Sequence, residues 1–274
     1  LIEKHMPPIK AGSMHLDLDD VESATHMRIA GLYRINGDTL SAAREEREAR
    51  ESALQEQDAL NRFDRVYVCT PADRELLAGR GPAEVRILPN TIRCSSRSQT
   101  APDIPFTFLL LGTLGYFPNQ DAARYFCAQV LPLIRDMAPA DVRVTIAGSG
   151  AGRQLKELDR VRGVTVAGEV SQVEGLYRSA SAVVVPVRAG GGTRIKILEA
   201  FCHGRPVVST SMGMEGIEAR DWEHALIADD PEVFAQRCVQ LMHDPDLIER
   251  MTRNARELVS REYSPEVAAR SVAR

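Results

Sequence analysis

The chain contains no apolar run that approaches the roughly 18 to 20 residues needed to cross a membrane. Residues 1–14 also differ in composition from a signal peptide, which has a basic start and an apolar stretch. The formal net charge of −4 gives no general attraction to nucleic acid or anionic lipid. We therefore expect a soluble protein of the cytoplasm, at most peripherally attached to the inner face of the membrane, without a nucleic-acid partner.

Cysteine is also scarce, and its spacing is uninformative. The five cysteines are Cys69, Cys94, Cys127, Cys202 and Cys238. Their number is odd and no Cys-x-x-Cys occurs, so the pattern predicts neither a disulfide framework nor a zinc site. This usage is typical of a reducing cytoplasm.

The composition is that of an ordinary globular protein, with 44% hydrophobic and 26% charged residues in 274. Residues 93–105 are polar and punctuated by proline, which predicts a linker. We expect a partial N-terminal domain over 1–92 and a second domain over 106–262. Residues 263–274 are predicted to form a terminal helix that returns toward the N-terminal domain.

Local patterns predict the elements within these segments. Short strands are expected at 14–18, 65–70 and 85–88, and the Arg-, Glu- and Ala-rich stretch 24–61 predicts one long helix or two shorter ones. After residue 106 strand and helix signals alternate regularly, as a parallel doubly wound sheet requires. Two helices broken near Asp244-Pro245 are expected toward the end of the chain.

The most informative motif is a triple glycine that runs directly into an amphipathic helix, over Gly190–Ala200. The β-branched run Ala182–Val187 just before it predicts a buried strand. The glycines would then lie at the carboxyl end of a parallel strand, where ligands bind in open α/β sheets. Glycine lets backbone N–H groups approach phosphate oxygens, and the helix N-terminus adds partial positive charge. The motif predicts a site for a nucleoside diphosphate.

Charged side chains of the same motif would complete such a site. We expect Thr193 to be the N-cap, Arg194 and Lys196 to neutralise a diphosphate, and Glu199 to accept hydrogen bonds from ribose hydroxyls. Glycine-rich turns before helices are common. On pattern alone, a loop with two solvated cations therefore stays open as the alternative.

Together with six other segments, this motif resembles the group 1, or family 4, glycosyltransferases of GT-B fold. The segments are Asp17–Ser23, Leu88–Asn90, Phe108–Asn119, Val144–Gly150 and Val164–Val170 before the motif, with Pro206–Thr210 after it. The resemblance implies an α/β fold of GT-B type. In it, a doubly wound parallel-sheet C-terminal domain would follow an incomplete Rossmann-like N-terminal domain.

The resemblance also implies an activity. It implies transfer of a sugar from a nucleotide-sugar donor, such as a UDP- or GDP-sugar, to a glycan, lipid or other hydroxyl acceptor. Transfer is expected with retention and without a metal or other cofactor, in polysaccharide biosynthesis of the cell envelope. Oligomeric state is not predicted.

Site residues follow from the matching positions. The catalytic candidates are Lys196, Arg194, Asp17 and Asp19, the last two for acceptor contact. The donor-binding candidates are Gly112, Thr113, Arg188, Gly190, Gly191, Gly192, Thr193, Glu199, Gly168 and Val170. The acidic cluster of Asp17, Asp19, Asp20 and Glu22 fits no calcium loop, and no metal ligand is predicted.

The sequence departs from the family pattern in two places. Many relatives have a pair of glutamates in which the first lies eight positions before the second, and counting back from Glu199 reaches Gly191. The turn after Gly112 also offers no Lys or Arg up to Asn119. This absence leaves the phosphate charge to Arg188, Arg194 and Lys196.

Two other functions stay open. A nucleotide-sugar epimerase on the same scaffold would need no acceptor, and a non-catalytic nucleotide-binding or partner module would bind without turnover. The short N-terminal part favours the latter, since a complete domain of this type has five or six strands. We expect the sequence to be a fragment of a longer enzyme.

Overall fold

The computed structural model describes residues 12–94, 106–138 and 141–272. The strands are β1 (His15–Asp19), β2 (Arg65–Val68), β3 (Glu84–Ile87), β4 (Phe106–Leu111), β5 (Val142–Ala147), β6 (Val164–Gly168), β7 (Ala182–Val185), β8 (Val207–Ser209) and β9 (Leu226–Ile227). The helices are α1 (Glu22–Ile35), α2 (Thr39–Arg62), α3 (Pro71–Leu77), α4 (Phe117–Tyr125), α5 (Leu131–Met137), α6 (Arg153–Lys156), α7 (Glu174–Ser179), α8 (Ile195–Cys202), α9 (Ser211–Met214), α10 (Pro231–His243), α11 (Pro245–Glu262) and α12 (Pro265–Val272).

The first sheet has three parallel strands in the order β1-β2-β3. The three strands expected before residue 93 are therefore present. Pairing of β1 with β2 shifts register between Asp17 and Asp19, and Asp19 has φ 62°. Aspartate tolerates this left-handed conformation better than most residues. The chain turns sharply there, so that Asp20 leaves the line of the strand.

Residues 24–61 were expected to form one helix or two, and they form two, α1 and α2. Gly37 separates them with φ +80°, and Asp38 caps α2 by accepting a hydrogen bond from the Ser41 backbone N–H at 3.0 Å. The break expected near Asp244-Pro245 is also confirmed. Asp244 lies between α10 and α11 and accepts from the Leu247 N–H.

The second sheet has six strands, all parallel, in the order β6-β5-β4-β7-β8-β9. Counted from β4, this is the 3-2-1-4-5-6 order of a doubly wound nucleotide-binding sheet. The expected parallel doubly wound α/β fold is confirmed. The order reverses between β4 and β7, which defines where a ligand crevice opens.

Alternate residues of the central strands pack helices on both faces of this sheet. Phe108 and Leu110 of β4 belong to one buried cluster with Phe126 and Phe234, whereas Leu109 packs in the other cluster. The second cluster contains the apolar side of α8, including Leu198 and Phe201. Burying both faces holds α8 rigidly against the strand that precedes it.

One prediction about cysteine is wrong. Cys94 and Cys202 form a disulfide across 108 positions of sequence, whereas Cys69, Cys127 and Cys238 are free and buried. The spacing could not reveal this pair, because the bond depends on the tertiary approach of residue 94 to the end of α8.

No helix in the described ranges combines the length and apolar character that spanning a bilayer demands.

Candidate functional site

A cavity of about 350 Å³ lies where the strand order of the second sheet reverses. Its walls come from the turn after β4, the loop after β7 and the first turn and a half of α8. The lining residues are Leu111, Gly112, Thr113, Tyr116, Pro118, Asn119, Val187, Ala189, Thr193, Arg194, Ile195, Lys196 and Glu199. The structure thus brings together the predicted residues of two groups that about 80 positions of sequence separate, namely Gly112 and Thr113 with Thr193, Arg194, Lys196 and Glu199.

Lys196 connects the two walls of this cavity. Its Nζ donates to Asn119 Oδ1 at 2.7 Å, and Asn119 Nδ2 donates to the Thr113 carbonyl at 3.0 Å. A Cβ atom on Gly112 would lie 2.6 Å from Lys196 Nζ, so only glycine admits this ammonium. The turn after β4 therefore contributes through Gly112 and Asn119, even though it carries no cation of its own.

Burial weakens the basicity of this ammonium. Desolvation is the largest cause that lowers the pKa of Lys196, to about 8, and the charge of Arg194 lowers it further. Glu199 acts in the opposite direction. A dianionic ligand in the cavity would stabilise the protonated form, which makes Lys196 a cation prepared for an anion.

Glu199 lies one turn beyond Lys196, on the same side of α8. Its Oε2 accepts a hydrogen bond from the buried Tyr177 hydroxyl at 2.8 Å. Tyr177 comes from α7, and its ring stacks on His203 with 4.7 Å between ring centroids. One carboxylate oxygen is therefore fixed by the protein, and Glu199 itself lines the cavity.

Two arginines hold the carbonyl groups of the glycine loop. Arg28 Nη1 donates to the Gly190 carbonyl at 2.9 Å, and Arg194 Nη1 donates to the carbonyls of Gly191 and Gly192. Among the described residues, no backbone carbonyl accepts from the N–H groups of Gly191 and Gly192. Guanidinium groups thus bind the loop's carbonyls, whereas these two amides have no backbone partner in the described structure.

The prediction that Thr193 caps α8 is wrong. The helix begins at Ile195, Arg194 occupies the N-cap position, and no side chain caps it. The bond from the Ile195 N–H to the Thr193 carbonyl tightens the entry to the helix, so Thr193 lies one residue too early. Its hydroxyl is buried without a hydrogen-bond partner in the described structure.

Arg188 is paired within the protein, and the phosphate contact expected of it stays a prediction. Its Nε and Nη2 donate to the two carboxylate oxygens of Asp121 at 2.9 and 2.7 Å, and its guanidinium lies over the Tyr125 ring. This bidentate pair fixes α4 against the loop after β7. Gly168 ends β6 and Val170 follows it, two strands from the reversal, and neither belongs to the cavity wall described above. Donor contact there stays a prediction.

The acidic residues of β1 also separate. Asp17 is exposed, whereas Asp19 Oδ1 accepts from the Cys69 thiol and from Asn90 Nδ2 at 3.3 Å. Contact of either with an acceptor stays a prediction. It is Asp20 that reaches the glycine loop, because the turn at Asp19 directs it there.

Helix α1 lies across the cleft between the two sheets. The rings of Tyr33 and Phe117 stack with 3.7 Å between centroids, and Ile29 and Leu32 pack on Ala189 of the glycine loop. The two terminal nitrogens of Arg28 donate to the Glu215 carboxylate, Nη1 to Oε2 and Nη2 to Oε1 at 2.9 Å. Sequence reasoning missed Arg28, because nothing in the local pattern of α1 indicates a partner 187 positions away.

Removal of the Arg28 guanidinium should loosen this contact. We expect Arg28→Ala to lower the free energy of unfolding by about 1–2 kcal/mol, since the pair is only partly buried. The measurement is urea denaturation of single and double variants of Arg28 and Glu215. The control is Arg34→Ala, because the Arg34 side chain is 57% exposed in its pair with Glu46, against 29% for Arg28. Equal losses for Arg28→Ala and Arg34→Ala would contradict the proposed contribution.

The sheet order, the glycine loop at the reversal and the cation-lined cavity define a doubly wound α/β protein with a crevice at the carboxyl ends of its strands. The family model described as "Glycosyl transferases group 1" matches residues 105–244, just over half of the chain. The chain belongs to this family.

Several known proteins are similar to it. An "Uncharacterized 44.6 kDa protein in cps region" of Klebsiella pneumoniae is 23% identical over 163 residues, covering 57% of this chain and 42% of that protein. A mutant of S. aureus TarM, solved with Fondaparinux, alpha-GlcNAc-glycerol and UDP, superposes with a TM-score of 0.67 at 19% identity, over 81% of this chain and 46% of its own.

Anabaena Alr3699/HepE, solved with UDP and glucose, gives a TM-score of 0.64 at 14% identity, over 82% of this chain and 66% of its own. At these identities the solved structures show a shared fold. The chain spans less than half the length of the Klebsiella protein and of TarM.

Proposed function

We propose that the protein transfers a sugar from a nucleotide-sugar donor to a hydroxyl acceptor, and that the cavity beside α8 binds the donor's nucleoside diphosphate. The observation that carries this proposal is the approach of Lys196, Glu199 and the glycine loop to one another at the reversal of strand order. Complexes of S. aureus TarM and Anabaena HepE with UDP support a uridine nucleotide as the first donor to test.

We assign different residues to the diphosphate and to the ribose of the donor. Lys196 supplies a positive charge in the cavity, and the glycine loop, which runs between the lining residues Ala189 and Thr193, would supply amide donors beside it. Glu199, oriented by Tyr177, suits the two hydroxyls of a ribose. As the bond to the sugar breaks, negative charge grows on the departing diphosphate, so these preorganised donors stabilise the transition state more than the ground state.

The acceptor would enter from the side of the first sheet. Since α1 packs on the glycine loop, we place the reacting centre between the two sheets, where exclusion of water would favour transfer over hydrolysis. We further propose a glycan or lipid-linked acceptor, retention at the anomeric carbon, and chemistry that uses side-chain cations without a metal. A cytoplasmic location at the inner face of the membrane belongs to the same proposal.

Calorimetry tests the donor site directly. We expect UDP or GDP to bind this chain, and a nucleotide-sugar incubated with glycan acceptors to release the nucleoside diphosphate with a new glycosidic product. Failure of both nucleotides to bind would overturn the proposal. Conversion of the nucleotide-sugar to an isomer without acceptor would indicate an epimerase, and binding without turnover a non-catalytic module; either result contradicts transfer.

The ribose contact can be tested by substituting each partner of the hydrogen bond between Tyr177 and Glu199. We expect Glu199→Ala to weaken nucleotide binding by about 10- to 100-fold, because hydrogen bonds to a charged carboxylate contribute about 1.5–3 kcal/mol. Tyr177→Phe leaves the carboxylate in place but frees its orientation, so a loss of only a few-fold is expected. A 2′,3′-dideoxy nucleotide should bind both variants and the unmodified protein alike. A full effect of Glu199→Ala on that nucleotide would contradict the assignment.

A further inference from the structure

At one position of the triple glycine, the backbone conformation does not require glycine. Gly190 and Gly192 have φ values of +126° and +66°, which disfavour any side chain. Gly191 does not adopt such a conformation. A Cβ atom on Gly191 would instead overlap Thr25 Oγ1 and both carboxylate oxygens of Asp20. Residues of the N-terminal part thus fill the space that a side chain at 191 would take.

The carboxylate in that space is incompletely satisfied. Asp20 Oδ2 accepts from Thr25 Oγ1 at 3.0 Å, but in the described part of the chain Oδ1 is buried and has no hydrogen-bond partner. Burial is the largest cause that raises the pKa of Asp20, while the Thr25 hydroxyl and the charge of Arg194 lower it. A protein stabilises such an oxygen only if something donates to it.

Two further buried atoms without a partner flank the same loop. Arg194 Nη2 and Thr193 Oγ1 have none among the described residues, and both residues line the cavity. The buried atoms without a partner beside the glycine loop are thus a carboxylate oxygen of Asp20, a guanidinium nitrogen and a hydroxyl oxygen. A ligand hydroxyl suits this set, because one hydroxyl donates to a carboxylate and accepts from a guanidinium at the same time.

We propose that Asp20, Thr193 and Arg194 form a subsite that binds a hydroxyl of the donor's sugar. The N-terminal part supplies the carboxylate, which occupies the space that a side chain at position 191 would need. This inference rests on the proposed function and adds a specificity-determining residue to it. A diphosphate repels Asp20, so the carboxylate belongs to the sugar. Because the subsite draws on both parts of the chain, it is complete only while α1 is seated on the glycine loop.

The test compares two ligands that differ only in the sugar. We expect Asp20→Asn to weaken binding of the nucleotide-sugar by about 10- to 100-fold, while the affinity for the nucleoside diphosphate changes less than about two-fold. Equal losses for both ligands would show a merely structural role and overturn the inference. Unchanged affinity for both would overturn it as well. Failure of the unmodified protein to bind the nucleoside diphosphate would instead sink the proposed function.

A second test moves the carboxylate from position 20 to position 191. Gly191→Asp alone should abolish nucleotide-sugar binding, since the new side chain overlaps Thr25 and Asp20. The triple variant Asp20→Ala, Thr25→Ala and Gly191→Asp returns a carboxylate to the same space, and we expect it to bind the nucleotide-sugar at least ten-fold more tightly than Asp20→Ala with Thr25→Ala. No gain over that double variant, with circular dichroism showing both folded, would count against the subsite.

Discussion

Lys196→Met should abolish measurable nucleotide binding and make the unliganded protein more stable. The loss of affinity is expected to exceed about 100-fold, because the variant removes the buried cation that faces the diphosphate. At neutral pH the folded state holds this ammonium against a desolvation penalty. The difference between its ordinary pKa of 10.5 and about 8 corresponds to about 3 kcal/mol. Methionine removes the penalty but leaves Asn119 Oδ1 unpaired, so a net stabilisation of about 1 kcal/mol is expected.

The same residue predicts how binding and stability change with pH. Below pH 8 Lys196 is protonated in both folded and unfolded chains, and its penalty is constant. Between about pH 8 and 10.5 the unfolded chain holds more protons, so stability contributed by this residue rises with pH in that window. Nucleotide affinity should fall over the same window, because the anion requires the protonated form. Both trends should vanish in Lys196→Met.

The controls for Lys196 are a surface lysine and a measurement of stability. Lys156 lies exposed on α6, and Lys156→Met should alter neither nucleotide affinity nor the unfolding free energy by more than about 0.5 kcal/mol. Chemical denaturation at pH 7 and pH 9 gives the stabilities, and calorimetry at the same pH values gives the affinities. A Lys196→Met protein that binds UDP or GDP normally would refute the site assignment.

Local sequence predicted those parts of the site that a single segment provides. The strand, the glycines and the start of α8 are contiguous, so a β-branched run followed by glycine and an amphipathic stretch was enough to locate Lys196 and Glu199. The parallel sheet followed from the alternation of strand and helix signals. Its strand order brings Gly112 beside Lys196, and that proximity could be expected only through the family resemblance.

Interactions between distant segments were not predictable in the same way. The partners Asn119, Tyr177 and Arg28 have ordinary local contexts and become significant only when helices from elsewhere meet α8 or the glycine loop. For Arg188 the local sequence suggested a phosphate contact, but α4 brings Asp121 close enough to pair with this cation. Asp20 had one available signal, namely an acid at the end of a strand together with a glycine where the paired-acid pattern expects a carboxylate.

Reduction of the bond between Cys94 and Cys202 should have the largest effect on stability. The disulfide joins the start of the predicted linker to the end of α8, and it closes a loop of 108 positions. By the chain-entropy argument, a loop of about 100 residues contributes as much as 4.7 kcal/mol, and measured disulfides typically contribute 2–4. We therefore expect dithiothreitol to lower the free energy of unfolding by about 3 kcal/mol.

Matched cysteine variants separate this bond from general effects of reductant. Cys94→Ser should show the lower stability without reductant and no further change with it, whereas Cys69→Ser should retain the full response. Since Lys196 and Glu199 lie on the first turns of α8, nucleotide affinity should change little on reduction. In the proposed cytoplasmic location the thiol form would predominate, so the reduced protein is the one whose activity matters. An unfolding curve that reductant does not shift would contradict a bond between these two cysteines.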